Sequence, residues 1–119
     1  MHLARNLILN TDSYKASHWL QYPPGVDATF FYLESRGGEY ERTLFFGLQS
    51  ILKEYLSKPV TATMVDEAKT FFAAHGEPFN EAGWRHVVDA HDGRLPLRIR
   101  AVAEGTVVPT HQALMTIES

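Results

Sequence analysis

Cysteine is absent from this chain of 119 residues, which excludes disulfides and thiolate metal sites and leaves packing to hold the fold. Basic charge is scarce as well. Eleven Lys and Arg against fourteen Asp and Glu give a net charge of −3 and a pI near 6.0. That field is too weak to neutralise phosphates in bulk, so no nucleic-acid partner is expected. No apolar run approaches the ~20 residues that cross a bilayer, and the first ten residues lack a signal-peptide layout. The expectation is a cytoplasmic protein with no membrane partner. The chain also lacks a glycine-rich diphosphate loop and an acidic pair of the kind that holds ribose hydroxyls. What it has is ordinary globular composition, 45% hydrophobic and 12% aromatic, enough for one modest core. A single domain over 1–119 is expected.

The densest chemistry lies at the start, in Thr11-Asp12-Ser13-Tyr14-Lys15, then Ser17-His18 and Gln21-Tyr22-Pro23-Pro24. Thr11 or Asp12 can cap a short helix, where an acid also suits the positive end of the dipole. Pro23 and Pro24 cannot continue it, which limits the helix to about two to three turns.

Further along, Ala28 to Leu33 is β-branched and aromatic between Pro-Pro-Gly and Gly37-Gly38, and reads as a strand. Apolar residues on both parities predict cover on both faces. Leu44 to Leu56 carries apolar residues at three- and four-residue spacing, which predicts a helix ending before Pro59. A second helix starts near Thr61 or Thr63, with Met64, Ala68, Phe71 and Phe72 as its apolar stripe and Gly76 as its stop. A third opens at Asn80 as N-cap, with Phe79 and Trp84 placed as a hydrophobic staple, and runs to the Asp92-Gly93 turn.

From Leu95 the period becomes two. Leu95, Leu97, Ile99 and Ala101 point one way, and Arg94, Arg98 and Arg100 the other. Glu104-Gly105 turns the chain, and Thr106 to Ile117 adds one or two strands interrupted by Pro109. The fold class is therefore α+β: a short N-terminal helix, a strand, three helices, then antiparallel strands forming a small sheet or half-barrel. The terminal hairpin, Glu104 to Pro109 with Leu114 and Ile117, resembles that of biotinyl- and lipoyl-carrier domains, but a carrier needs a lysine at the hairpin tip. None follows Lys69.

Several ordered pieces resemble the N-terminal region of the nicotinamide phosphoribosyltransferase family. They are Thr-Asp-Ser-Tyr-Lys, His18, Gln-Tyr-Pro-Pro, Glu34-Ser35-Arg36, Phe46-Gly47-Leu48-Gln49, Phe79-Asn80-Glu81, Gly83-Trp84, Asp92-Gly93, Leu95-Pro96 and Ala101 to Gly105. The likeness runs from about Asn6 to Ser119, although the link from Arg36 to Leu44 is short where some members carry a longer insertion. It implies that the full enzyme joins nicotinamide to phosphoribosyl pyrophosphate, giving nicotinamide mononucleotide and pyrophosphate for NAD salvage. It also implies a homodimer with its site at the interface, and a catalytic barrel core and phosphohistidine outside this chain. Mg²⁺ would accompany the pyrophosphate and ATP is a further candidate of the full enzyme, with neither bound by this chain alone. The partner is then a second copy or the remaining catalytic core, and the isolated chain is expected to be inactive. Two alternatives stay open: the sister enzyme acting on nicotinate, and a free-standing dimerisation or regulatory module.

Three substrate-binding residues follow from the resemblance, with no catalytic residue. Tyr14 matches the tyrosine that stacks on the nicotinamide ring; from the residues alone, a helix tyrosine packed on the core is the stronger reading. Asp12 matches an acid near the nicotinamide amide, against a plain N-cap. Arg36 matches a phosphate-binding arginine, against a surface arginine paired with Glu34, Glu39 or Glu41. Lys15 and His18 are weaker candidates. His2, His75, His86, His91 and His111 form no pair at metal-ligand spacing, and no metal ligand is expected. Arg94, Arg98 and Arg100 read as a solvated or subunit-contacting strip in preference to a phosphate-binding one.

Overall fold

The computed structural model describes residues 5–119, so His2 lies outside it. The fold is α+β, with two small antiparallel sheets that do not close into a barrel. The chain divides into two compact units, Met1–Gly25 with Glu54–Leu95, and Val26–Lys53 with Pro96–Ser119.

The first unit is helical. Two 3₁₀ helices, Leu7–Leu9 and Ser13–Gln21, precede α2 (Ala62–His75) and α3 (Glu81–Ala90). Thr61 is the N-cap of α2, its hydroxyl accepting the Met64 N–H, so the cap falls on the earlier of the two threonines. Val65, Ala68 and Phe72 form the buried stripe of α2 and pack with Ile8 and Val60. Phe71, expected on that stripe, is instead half-exposed, edge-on to Phe72 and stacked on His75. Phe72 lies four residues beyond Ala68 and seven beyond Val65, so the stripe centres on these three and Phe71 falls to its flank. Gly76 ends the helix in the left-handed region at φ 82°, donating to the Phe72 carbonyl.

Asn80 caps α3 by accepting the Gly83 N–H at 2.9 Å, and Phe79 and Trp84 on either side of that cap pack against the same core. After α3 the chain turns at Gly93, whose carbonyl accepts the Val60 N–H at 2.8 Å. Buried Asn6 ties down the N-terminal segment. Its side chain donates to the Met64 carbonyl at 2.8 Å and to Glu67 at 2.9 Å, and accepts the Ile8 N–H at 3.0 Å.

The second unit holds the strands. β1 (Phe30–Glu34), β5 (Ala113–Glu118) and β3 (Arg98–Ala101) form one sheet in the order β1-β5-β3. β2 (Arg42–Leu44) and β4 (Val107–Pro109) form the other. Phe45, Val108 and Leu114 make its buried core.

Three expectations change here. Leu44 belongs to β2, and the helix expected from it begins only at α1 (Leu48–Ile51), continuing as a π-helical turn over Leu52–Leu56. Gly47 at φ 101° breaks strand from helix, and the Glu104 carboxylate accepts the Gln49 N–H at 2.8 Å to cap the helix start. Arg94 is not on the strand with Arg98 and Arg100; its guanidinium donates to the Ser57 carbonyl in the first unit. Finally, among the described residues of its own unit β1 is open on both faces, with Phe30 62%, Phe31 52%, Tyr32 61% and Leu33 46% exposed.

Candidate functional site

The Thr11–Lys15 stretch becomes the start of a nine-residue 3₁₀ helix rather than an α-helix. Runs of this length are uncommon because side chains three apart eclipse one another. The period of three sets which residues stand side by side. Ala16, Trp19 and Tyr22 form one row and, with Lys15 and His18 beside them, line a cavity of about 530 Å³ that also includes Phe72, Phe79 and Trp84. Tyr14, Ser17 and Leu20 form another row, and Tyr14 and Leu20 are each 57% exposed. Asp12, Lys15 and His18 make the third.

Asp12 occupies the N-cap position, yet its carboxylate accepts no capping bond. The Lys15 N–H is taken by the Asp12 carbonyl at 3.0 Å, and the same three-residue spacing brings the Lys15 ammonium to 3.2 Å from the Asp12 carboxylate. The pair is exposed at both ends, so it contributes little to stability. Its consequence is positional: the carboxylate is held by a side chain, not absorbed into the helix backbone, and keeps acceptor capacity for another N–H.

Tyr14 stands next to this pair. The Lys15 ammonium lies 6.0 Å from its ring centroid, at the limit of a cation–π contact. The His18 ring is 5.4 Å away and tilted by 58°. Much of the phenol therefore remains open, and the ring does not pack into the core of its unit. Neither Tyr14 nor Asp12 lines the aromatic cavity. That cavity was not foreseen, although the i, i+3 spacing of Ala16, Trp19 and Tyr22 carries the signal for it once a 3₁₀ period is considered.

Arg36 lies in the second unit, just past β1 and before Gly37 and Gly38, which take φ 95° and 143°. The His111 N–H donates to the Ser35 carbonyl at 2.8 Å and fixes the backbone beside it. Among the described residues Arg36 forms no ion pair, so the expected alternative of pairing with Glu34, Glu39 or Glu41 is not realised. An exposed guanidinium fork on a glycine-flanked turn suits phosphoryl oxygens. Arg98 and Arg100, in contrast, share Glu118, each at 3.5 Å.

Among the described residues no group of three or more His, Asp or Glu side chains could hold a metal ion.

With this geometry in view, the comparisons are specific. Residues 6–99 match the family model described as nicotinamide phosphoribosyltransferase, N-terminal domain. A nicotinamide phosphoribosyltransferase of Xanthomonas campestris pv. campestris (strain 8004) is 71% identical over 119 residues, which is all of this chain and 25% of that relative. One of Acinetobacter baylyi is 27% identical over 124 residues, covering 89% of this chain and 24% of the relative. The chain thus spans about a quarter of the length of the curated relatives it matches.

Proposed function

Because this chain belongs to the nicotinamide phosphoribosyltransferase N-terminal domain family, we propose that it supplies the ring-holding and phosphate-holding side chains of an enzyme that makes nicotinamide mononucleotide. The observation that carries this reading is Tyr14: its ring is presented outward beside a carboxylate that capping leaves available. A core tyrosine would be buried, and a capping aspartate would be engaged with backbone.

In the proposed reaction the ring nitrogen of nicotinamide attacks the anomeric carbon of phosphoribosyl pyrophosphate. The new C–N bond forms as the bond from that carbon to the pyrophosphate oxygen breaks, and the pyrophosphate leaves with the electron pair. The ring becomes a cationic pyridinium. Tyr14 offers a face for offset stacking that tolerates this charge, worth about 0.5–1.5 kcal/mol beyond area burial. Asp12 accepts an amide N–H and disfavours nicotinate, whose own carboxylate would lie against it. Arg36 holds phosphoryl oxygens in a bidentate fork. Orienting the ring nitrogen behind the anomeric carbon is a proximity effect, which is the part of the barrier that positioning residues lower. The site forms in a cytoplasmic homodimer, with this region reaching towards the neighbouring subunit.

The test is to put this chain in place of the matching quarter of the Xanthomonas relative, a replacement that 71% identity supports. The composite enzyme is expected to form nicotinamide mononucleotide and to prefer nicotinamide over nicotinate, and Asp12→Asn should narrow that preference by about tenfold. Activity on nicotinate alone would favour the sister enzyme and overturn the reading.

A further inference from the structure

In the three-stranded sheet, β1 and β3 are the two edges, and they are built differently. The β3 edge carries Arg98 and Arg100, the kind of exposed charge that blunts an edge against pairing. β1 reads Phe-Phe-Tyr-Leu before its first charge, Glu34, where the register slips in a bulge. An apolar, uncharged edge of this kind is a template for another strand.

The backbone says which groups await it. Thr29 and Ser119 exchange both of their N–H···O bonds, at 3.2 and 3.1 Å. In an antiparallel ladder such pairs alternate, so Phe31 and Leu33 bond to β5 while the N–H and C=O of Phe30 and Tyr32 point to the open edge. The side chains agree. Phe31, Leu33, Met115, Ile117, Ile99 and Ala101 share one sheet face by register, and it is wholly apolar. The other face of β1 exposes Phe30 and Tyr32. A strand apolar on both parities is the pattern of an interior strand.

We propose that β1 is an interior strand of a larger sheet in the assembled protein. Its missing neighbour is a strand from the polypeptide that the curated relatives carry outside the quarter matched here, paired along Phe30–Leu33 and continuous with cover over the apolar face. The relatives have three times as much chain again from which to supply it. This rests on family membership and not on the nicotinamide reading.

The experiment is hydrogen exchange resolved to single amides, on the 119-residue chain and on the composite with the Xanthomonas relative. In the chain alone, the amides of Phe31 and Leu33 should exchange slowly and those of Phe30 and Tyr32 quickly. In the composite, Phe30 and Tyr32 should slow by at least ~100-fold. Fast exchange there in the composite overturns the proposal. So does concentration-dependent protection in the chain alone, because a second copy would then be the neighbour. Tyr32→Pro gives a second readout, since it deletes an outward N–H and spares the bonds to β5. It should lower Tm more in the composite than in the chain alone, and equal shifts in the two would overturn the assignment. Neither readout involves nicotinamide, so failure here is separable from failure of the proposed function.

Discussion

At the scale of single residues, Gly93 shows how one backbone conformation holds the helical unit together. It takes φ 73°, and a Cβ there would clash with the Val60 carbonyl oxygen, while its own carbonyl accepts the Val60 N–H. Gly93→Ala therefore combines a strained dihedral with a backbone clash and is expected to cost about 2–4 kcal/mol, read as a fall in the urea midpoint at unchanged slope. The Asp92-Gly93 turn was legible in the sequence, because the pair is a common turn signal. Its close approach to Val60 was not, since the two positions are far apart in the chain and nothing local announces the contact. Asn6 is a similar case. A buried asparagine that joins the first segment to α2 looks, in sequence, like any polar residue near a terminus.

At the scale of elements, α2 and α3 are linked by an exposed network in which Lys69 contacts Glu81 at 2.8 Å, and Arg85 reaches both Glu81 and Asp66. The hydrogen bond from Lys69, followed by that from Arg85, holds the Glu81 carboxyl below its ordinary value against some desolvation. A lowered folded-state pKa gives stability that is present above the unfolded carboxylate value of about 4.3 and is lost as pH falls through the folded value. Glu81→Gln should thus flatten the acid side of the Tm-against-pH curve and change it little near neutrality. An acid limb identical to that of the parent would contradict this role.

Helix limits were well marked where chemistry marks them, at Thr61, Gly76 and Asn80. They were poorly marked at Leu44, where a run of apolar residues serves a strand, a glycine break and a helix in turn. Period alone cannot separate these in so short a span. The same ambiguity hid the 3₁₀ winding of Ser13–Gln21, and with it the outward direction of Tyr14 and the aromatic cavity behind Trp19.

At the scale of the whole molecule, the α+β class came through in the sequence because turns, caps and period changes all agree on it, whereas the sheet order β1-β5-β3 and the short β2 did not. The open faces of β1 did not, since an apolar strand predicts cover without saying which chain provides it. The same incompleteness bears on function. The Xanthomonas relative carries about three quarters of its length outside the part matched here. The chain alone should therefore form no nicotinamide mononucleotide from nicotinamide and phosphoribosyl pyrophosphate, checked by product chromatography. Turnover by the purified 119-residue chain would show that the surfaces needed for the ribosyl donor are already present.

The most direct measurement is the KM for nicotinamide of the composite enzyme with Tyr14 intact, Tyr14→Phe and Tyr14→Ala. Stacking predicts that the phenylalanine variant stays within about threefold of the parent, while the alanine variant rises about tenfold or more, corresponding to the ~1.4 kcal/mol carried by a ring face. A KM unchanged by Tyr14→Ala, with the protein folded, would contradict the assignment of Tyr14 to the nicotinamide ring.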